Sequence, residues 1–152
     1  MWRTGDVGEF DDDGYLTVRG RRDNVLVTFL GRNISPEWIE ALITANPRIA
    51  CCALTLSDAG QLAALLIPSE RAEAWFADAS AQAIAKAVIG SCDDAPGYAI
   101  PQQFIVLPSA AVADLLTDNG RIKRPAARQL QAAALGGNLP GSKVVSVEYS
   151  NR

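Results

Sequence analysis

Histidine is absent from the 152-residue chain, so Ser-His and Cys-His catalysis and histidine-ligated metals cannot be built from its own side chains. Cysteine is scarce: Cys51, Cys52 and Cys92 are odd in number and lack paired metal-ligand spacing. Adjacent cysteines in an apolar run are expected to be buried strand residues. Long hydrophobic runs are missing as well. The longest, Leu62 to Ile67, falls far short of the roughly 20 residues that cross a bilayer. Positive charge is not in excess, because 14 Lys and Arg stand against 17 Asp and Glu for a net charge of −3. That leaves no electrostatic case for general nucleic-acid binding, which needs clustered cations against many phosphates. A secretory signal would begin with a basic stretch and an apolar core, whereas this chain opens on Trp2-Arg3-Thr4-Gly5-Asp6. A cytoplasmic location is the expectation.

What is present suits a folded domain. Hydrophobic residues make up 49% and charged residues 20%, which argues against disorder. A chain of this length buries roughly 68–70% of its unfolded surface, enough for one real core.

Val7 to Phe10 and Tyr15 to Val18 flank Asp11-Asp12-Asp13-Gly14, a β-hairpin pattern whose Asp-Gly ending suits positive φ. The three aspartates have no companion carboxylate at loop spacing and are expected to form a solvated turn, not a cation site. Val25 to Thr28 is expected as a strand. A loop through Gly31 leads to a helix with Ser35 as N-cap and Pro36 in its first turn, where Trp38, Ile39, Leu42 and Ile43 form an apolar face. Ile49 to Leu56 and Gln61 to Ile67 should be antiparallel strands. A helical region follows from Ser69 to about Ile89, with a break near Asp78 to Ser80 and with Trp75 and Phe76 in the core. Gln103 to Leu107 is expected as a strand and Pro125 to about Leu135 as a helix. Residues 136–141 look like a linker, and Lys143 to Tyr149 either a strand or a tail. No regular βαβ alternation is apparent, so the fold class expected is α+β, a short mixed sheet packed by two to three helices and preceded by a hairpin.

Three blocks carry chemistry. Asp6 follows Thr-Gly at the entrance to the hairpin, where a carboxylate can accept bonds from vicinal hydroxyls. Arg21 lies in Gly20-Arg21-Arg22-Asp23, and its planar fork suits ribose oxygens or phosphate. Thr117-Asp118-Asn119-Gly120-Arg121-Ile122-Lys123-Arg124 combines a turn signal with three cations. Taken singly, each also fits a turn acid, a surface arginine or a solvated basic edge.

In this order and spacing the blocks resemble the C-terminal part of adenylate-forming enzymes, the superfamily of acyl-CoA synthetases, peptide-synthetase adenylation domains and luciferases. The run from Asn24 to Glu40 is most similar to the long-chain acyl-CoA synthetase branch. The resemblance implies that Asp6 accepts from the ribose hydroxyls of ATP, that Arg21 reaches the same nucleotide, and that Asp23 is the hinge. Residues 1–22 would then end a large N-terminal domain, 23–135 would be a mobile lid, and 136–152 a tail of unknown role. Gly31 would line the pantetheine tunnel, where a missing Cβ lets backbone approach a thin thiol arm. The family places its adenylating lysine after the Asn-Gly turn, and here that position holds Arg121. Lys123, two residues on, is a candidate substitute if the segment is extended.

The implied reaction forms an acyl-adenylate from a carboxylate and Mg-ATP, then passes the acyl group to the thiol of CoA or of a phosphopantetheine carrier protein. The phosphate-gripping loop, the acyl pocket and most Mg²⁺ ligands belong to the family's large N-terminal domain, which becomes the expected partner. The chain alone is therefore expected to be inactive. The rival expectation is a non-catalytic interaction or regulatory module that has lost the adenylating lysine.

Overall fold

The computed structural model describes residues 3–147. Strands β1 (Asp6–Phe10) and β2 (Leu16–Arg21) form the expected antiparallel hairpin. Its turn is held by the Asp11 carboxylate, which accepts from the backbone N–H groups of Asp13 and Tyr15. The aspartate run thus ties its own turn. After a single 3-10 turn at Arg22–Asn24, β3 (Leu26–Val27) pairs with β4 (Asn33–Ile34), and Gly31 sits in the connecting loop. The strand expected over Val25 to Thr28 is shortened to two residues, because Thr28 already bonds across the loop to Arg32.

Helix α1 (Pro36–Thr44) starts at the expected N-cap, yet the Ser35 side chain makes no capping bond. Pro36 removes one of the N–H groups that would need a partner. Strands β5 (Ile49–Leu56) and β6 (Leu62–Pro68) are antiparallel. The helical region divides as the sequence suggests into α2 (Glu73–Asp78) and α3 (Ala81–Ile89), with Ser80 capping α3 through its hydroxyl. Strand β7 (Gln103–Val106) runs parallel to β6, so β6, α2, α3 and β7 make one crossover unit that the sequence pattern did not disclose. Helix α4 (Val112–Leu115) is also new; four residues are too few for a periodic signal. Helix α5 (Arg124–Leu135) and β8 (Lys143–Ser146) complete the fold.

The main sheet has the order β5-β6-β7-β8 and is mixed, as expected for the α+β class. Helices cover both faces. Cys52 and Leu54 join Ile39, Ile43, Phe76, Ile84 and Val88 on one side. Cys51 and Ala53 face Leu115, Ala127 and Ala134 on the other. Neighbouring cysteines therefore enter opposite cores, as strand alternation requires. All three thiols are free and buried, and burial pushes Cys51 and Cys92 up to about 11. They are packing groups.

Residues 143–146 form a strand, not a tail; residues 148–152, including Tyr149, lie outside the described residues. β8 pairs antiparallel with β7, and Lys143 Nζ donates to the carbonyls of Phe76, Ala77 and Ala79 at the end of α2. Val145 is 2% exposed, while Val144 on the other face is 41% exposed. In urea unfolding, Val145→Ala should cost about 2 kcal/mol through the cavity it leaves, and Val144→Ala no more than about 0.5 kcal/mol. Equal effects would show that β8 is not part of the core.

Candidate functional site

The hairpin register sets Asp6 directly opposite Arg21. Arg21 Nη1 donates to Asp6 Oδ1 at 2.9 Å and to the Thr4 carbonyl at 3.0 Å. The Arg21 hydrogen bond, followed by that of Thr4, holds the Asp6 carboxyl below its ordinary value of 3.8, and Asp6 in turn raises Arg21. Both side chains border a cleft of about 800 Å³.

Arg121 borders the same cleft. Its turn is closed by Thr117, whose N–H donates to the Arg121 carbonyl at 2.8 Å and whose hydroxyl accepts from the Arg121 N–H at 3.1 Å. Gly120 adopts φ +72°, the left-handed conformation that the Asn-Gly turn needs. A bridge between Leu116 and Ile122 fixes the base of the loop.

Lys123 does not share the cleft. The chain bends into α5 at this residue, and Lys123 Nζ donates to the Ala113 carbonyl at 3.4 Å. The face-sharing expected of an extended segment is cut short there. Gly31 also lies outside the cleft, at φ +71° in the loop between β3 and β4, with open space where a Cβ would stand. Its conformation alone favours glycine, independently of any ligand. The loop is anchored where the Phe29 N–H donates to the Gly60 carbonyl at 3.2 Å, and Arg32 lies 5.5 Å over the Tyr98 ring. Asp23 is exposed in the 3-10 turn that follows the hairpin.

The cleft floor holds residues the sequence did not single out. Arg124 makes paired bonds to both carboxylate oxygens of Glu40, with Nη2 to Oε2 at 2.9 Å. Glu40 Oε1 also accepts from the Leu54 N–H at 2.7 Å. Burial alone would lower the pKa of Arg124, but the hydrogen bond and charge of Glu40 more than offset it and the net shift is upward. Glu37 lies 3.6 Å from Arg124 and accepts from Asn24. A signal for Glu40 existed: it shares a helical face with Pro36 and Ile43, where a charge is out of place unless paired.

The order of the motifs and the fold both match one family. The chain belongs to the AMP-binding enzyme C-terminal domain family, whose model matches residues 23–135. Curated relatives of this AMP-binding enzyme C-terminal domain include the long-chain-fatty-acid–CoA ligase FadD15 of Mycobacterium tuberculosis. It is 37% identical over 76 residues, which is 49% of this chain and 12% of that protein. The 2-succinylbenzoate–CoA ligase of Bacillus licheniformis is 43% identical over 49 residues, 32% of this chain and 10% of that one. Among solved structures, the adenylation domain of a carboxylate reductase from Mycobacterium chelonae aligns with TM-score 0.74 and 25% identity, over 90% of this chain and 22% of that chain. A Mycobacterium tuberculosis fatty acyl CoA synthetase aligns with TM-score 0.58 and 25% identity, over 88% and 24%. The chain thus spans about an eighth of the first relative and under a quarter of these structures. No helix among the described residues is long and apolar enough to cross a membrane.

Because its folded pKa is depressed, Asp6 contributes a stabilising contact with Arg21 above the unfolded value, and that contact is lost as pH falls through the folded value. In carboxyl-carbon NMR, Asp6 should titrate below 3.8 and move back towards that value in Arg21→Ala. An unchanged midpoint would rule the pairing out.

Proposed function

We propose that this chain is the mobile C-terminal domain of an ATP-dependent acyl-activating ligase, working with a large N-terminal domain in the same protein. The observation that carries this proposal is that Asp6, Arg21 and Arg121, three residues singled out on separate motifs, border one cleft. Family membership and the acyl-CoA ligases among the relatives support it.

In the first half-reaction a carboxylate oxygen attacks the α-phosphorus of ATP, and the bond to pyrophosphate breaks. Asp6 accepts from the ribose hydroxyls and Arg21 steadies the nucleotide. Arg121 faces the two anions that must meet, offsetting charge as it builds in the transition state. It keeps the positive charge of the usual lysine while changing reach and hydration. Lys123 can take this part only by leaving the Ala113 carbonyl, so Arg121 is the first choice. The donor set fits a nucleotide. Any Mg²⁺ would be held mainly by the large domain.

In the second half-reaction a thiol sulfur attacks the acyl carbon, and AMP leaves with the electrons of the broken C–O bond. The thiol belongs to CoA or to the phosphopantetheine arm of a carrier protein. Rotation about Asp23 replaces the Arg121 loop by the Gly31 loop at the active site. Residues 1–22 stay with the large domain and 23–135 move. The similarity to long-chain ligases favours a fatty or other hydrophobic acid.

The substitution at Arg121 favours a second proposal, a lid that has lost adenylation. Joined to its large domain, the wild-type protein should catalyse ATP–pyrophosphate exchange, with Arg121→Ala slower by roughly 10²–10³-fold, Arg121→Lys active and Lys123→Ala little changed. The 152-residue chain alone should show no exchange. Inactivity of every joined variant, including Arg121→Lys, would instead establish the non-catalytic module.

A further inference from the structure

Four tight turns share one hydrogen-bond pattern, at residues 11–15, 28–32, 57–61 and 117–121. In each, an Asp, Thr or Ser opens the turn and its carbonyl accepts from the N–H of the glycine three residues on. Its own N–H donates to the carbonyl of the fifth residue, and its side-chain oxygen accepts from that residue's N–H. Two of these turns carry Gly31 and Arg121, and one closes the hairpin. The fourth, between β5 and β6, has no part in the chemistry proposed above.

The Gly31 and Arg121 turns are anchored differently. The Arg121 turn is rooted in the bridge between Leu116 and Ile122 and leads directly into α5. The Gly31 turn is rooted in β3 and β4, which pair over only two residues each, and its tip side chains Phe29 and Leu30 are 67% and 65% exposed. So short a ladder with a solvated tip has little rigidity of its own. Beyond the tip, Arg32 rests over the Tyr98 ring. The tip itself is tied to the fourth turn: the Phe29 N–H donates to the Gly60 carbonyl at 3.2 Å, and a Cβ on Gly60 would fall 2.9 Å from the Phe29 nitrogen. Backbone thus meets backbone. The strands behind that turn, β5 and β6, are almost wholly buried, so it offers a firm support.

We propose that the turn at residues 57–61 braces the Gly31 loop, and that Gly60 and the Phe29 N–H are positioning groups for the thiol half-reaction. This rests on the reading that the Gly31 loop serves that half-reaction. A loop that lines the path of a thiol arm acts through its position, so a displacement of about 1 Å costs rate without touching the reacting atoms. The brace meets the Gly31 loop and not the separately anchored Arg121 turn. Loosening it therefore slows thioester formation and spares adenylation.

The test separates the two half-reactions in the protein joined to its large domain, with CoA as the thiol. Gly60 alone is an ambiguous probe, because its φ of +72° already favours glycine. No non-glycine residue among those described has a positive φ, so Phe29 stands at the first corner of a type I turn, where proline fits. Phe29→Pro removes the N–H that meets Gly60 and keeps the turn, while Phe29→Ala removes the side chain and keeps the N–H. Relative to Phe29→Ala, Phe29→Pro should slow thioester formation from preformed acyl-adenylate about tenfold or more and leave ATP–pyrophosphate exchange within about twofold. Gly60→Ala drives a Cβ against the Phe29 nitrogen and should show the same split, although its backbone strain also lowers stability. In the 152-residue chain the Phe29 amide should exchange with solvent about tenfold slower than that of Leu30. Equal losses in both half-reactions, or none in either, overturn the inference, as does a Phe29 amide that exchanges as fast as that of Leu30. A wild-type joined protein that forms no thioester contradicts the reading of the Gly31 loop instead, and the amide then decides whether the brace exists.

Discussion

The rest of the domain depends on the ion pair between Glu40 and Arg124. Helix α1 packs on one face of the sheet and α5 on the other, and β5, at the end of the strand order, is the edge between them. Glu40 reaches from α1 to take the backbone N–H of Leu54 and meets Arg124 coming from the first turn of α5. One carboxylate thus covers part of a bare strand edge and clasps the two helical layers around it. It also brings negative charge to the N-terminus of α5, whose own first turn contains no acidic residue. The pair is well buried, with side-chain exposures of 9% for Glu40 and 18% for Arg124. Its desolvation cost is therefore large, and it holds only because both carboxylate oxygens are satisfied.

That clasp is also what sets Arg121 in place. Only Ile122 and Lys123 separate the Arg121 loop from Arg124, so fixing Arg124 at the β5 edge fixes the base of the loop. The Asn-Gly turn then leads into Arg121, which lines the same cleft as the Asp6 and Arg21 pair of the hairpin. Arg124 and Glu40 belong to the scaffold, whereas the side chains of Arg121, Asp6 and Arg21 border the cleft. Gly31 is held on a separate loop, tied to the turn at Gly60.

Much of this was legible in the sequence. Alternation and turn chemistry marked the hairpin, β5 and β6, and the 3.6-residue period with Pro36 marked α1. The three motifs marked Asp6, Arg21 and Arg121 before their shared cleft was visible. What stayed hidden depends on contacts between distant segments. Nothing local in Lys143 to Ser146 says that it pairs with β7, and nothing in Gln103 to Val106 says that it runs parallel to β6. For Lys123 the reason is different: two residues apart means one face only while the chain stays extended, and here it turns into α5. Arg124 was overlooked because in a basic run every cation looks solvated until its partner, 84 residues away, is found.

A double-mutant cycle on Glu40 and Arg124 tests this account most directly. Glu40→Gln keeps an acceptor for Leu54 while removing the charge, and Arg124→Met keeps the apolar stem. Urea unfolding of wild type, both single variants and the pair should yield a coupling of about 2 kcal/mol, with the double variant more stable than the sum of the single losses implies. Single effects that add to within about 0.5 kcal/mol would contradict the clasp, and with it the explanation of how Arg121 comes to face the cleft.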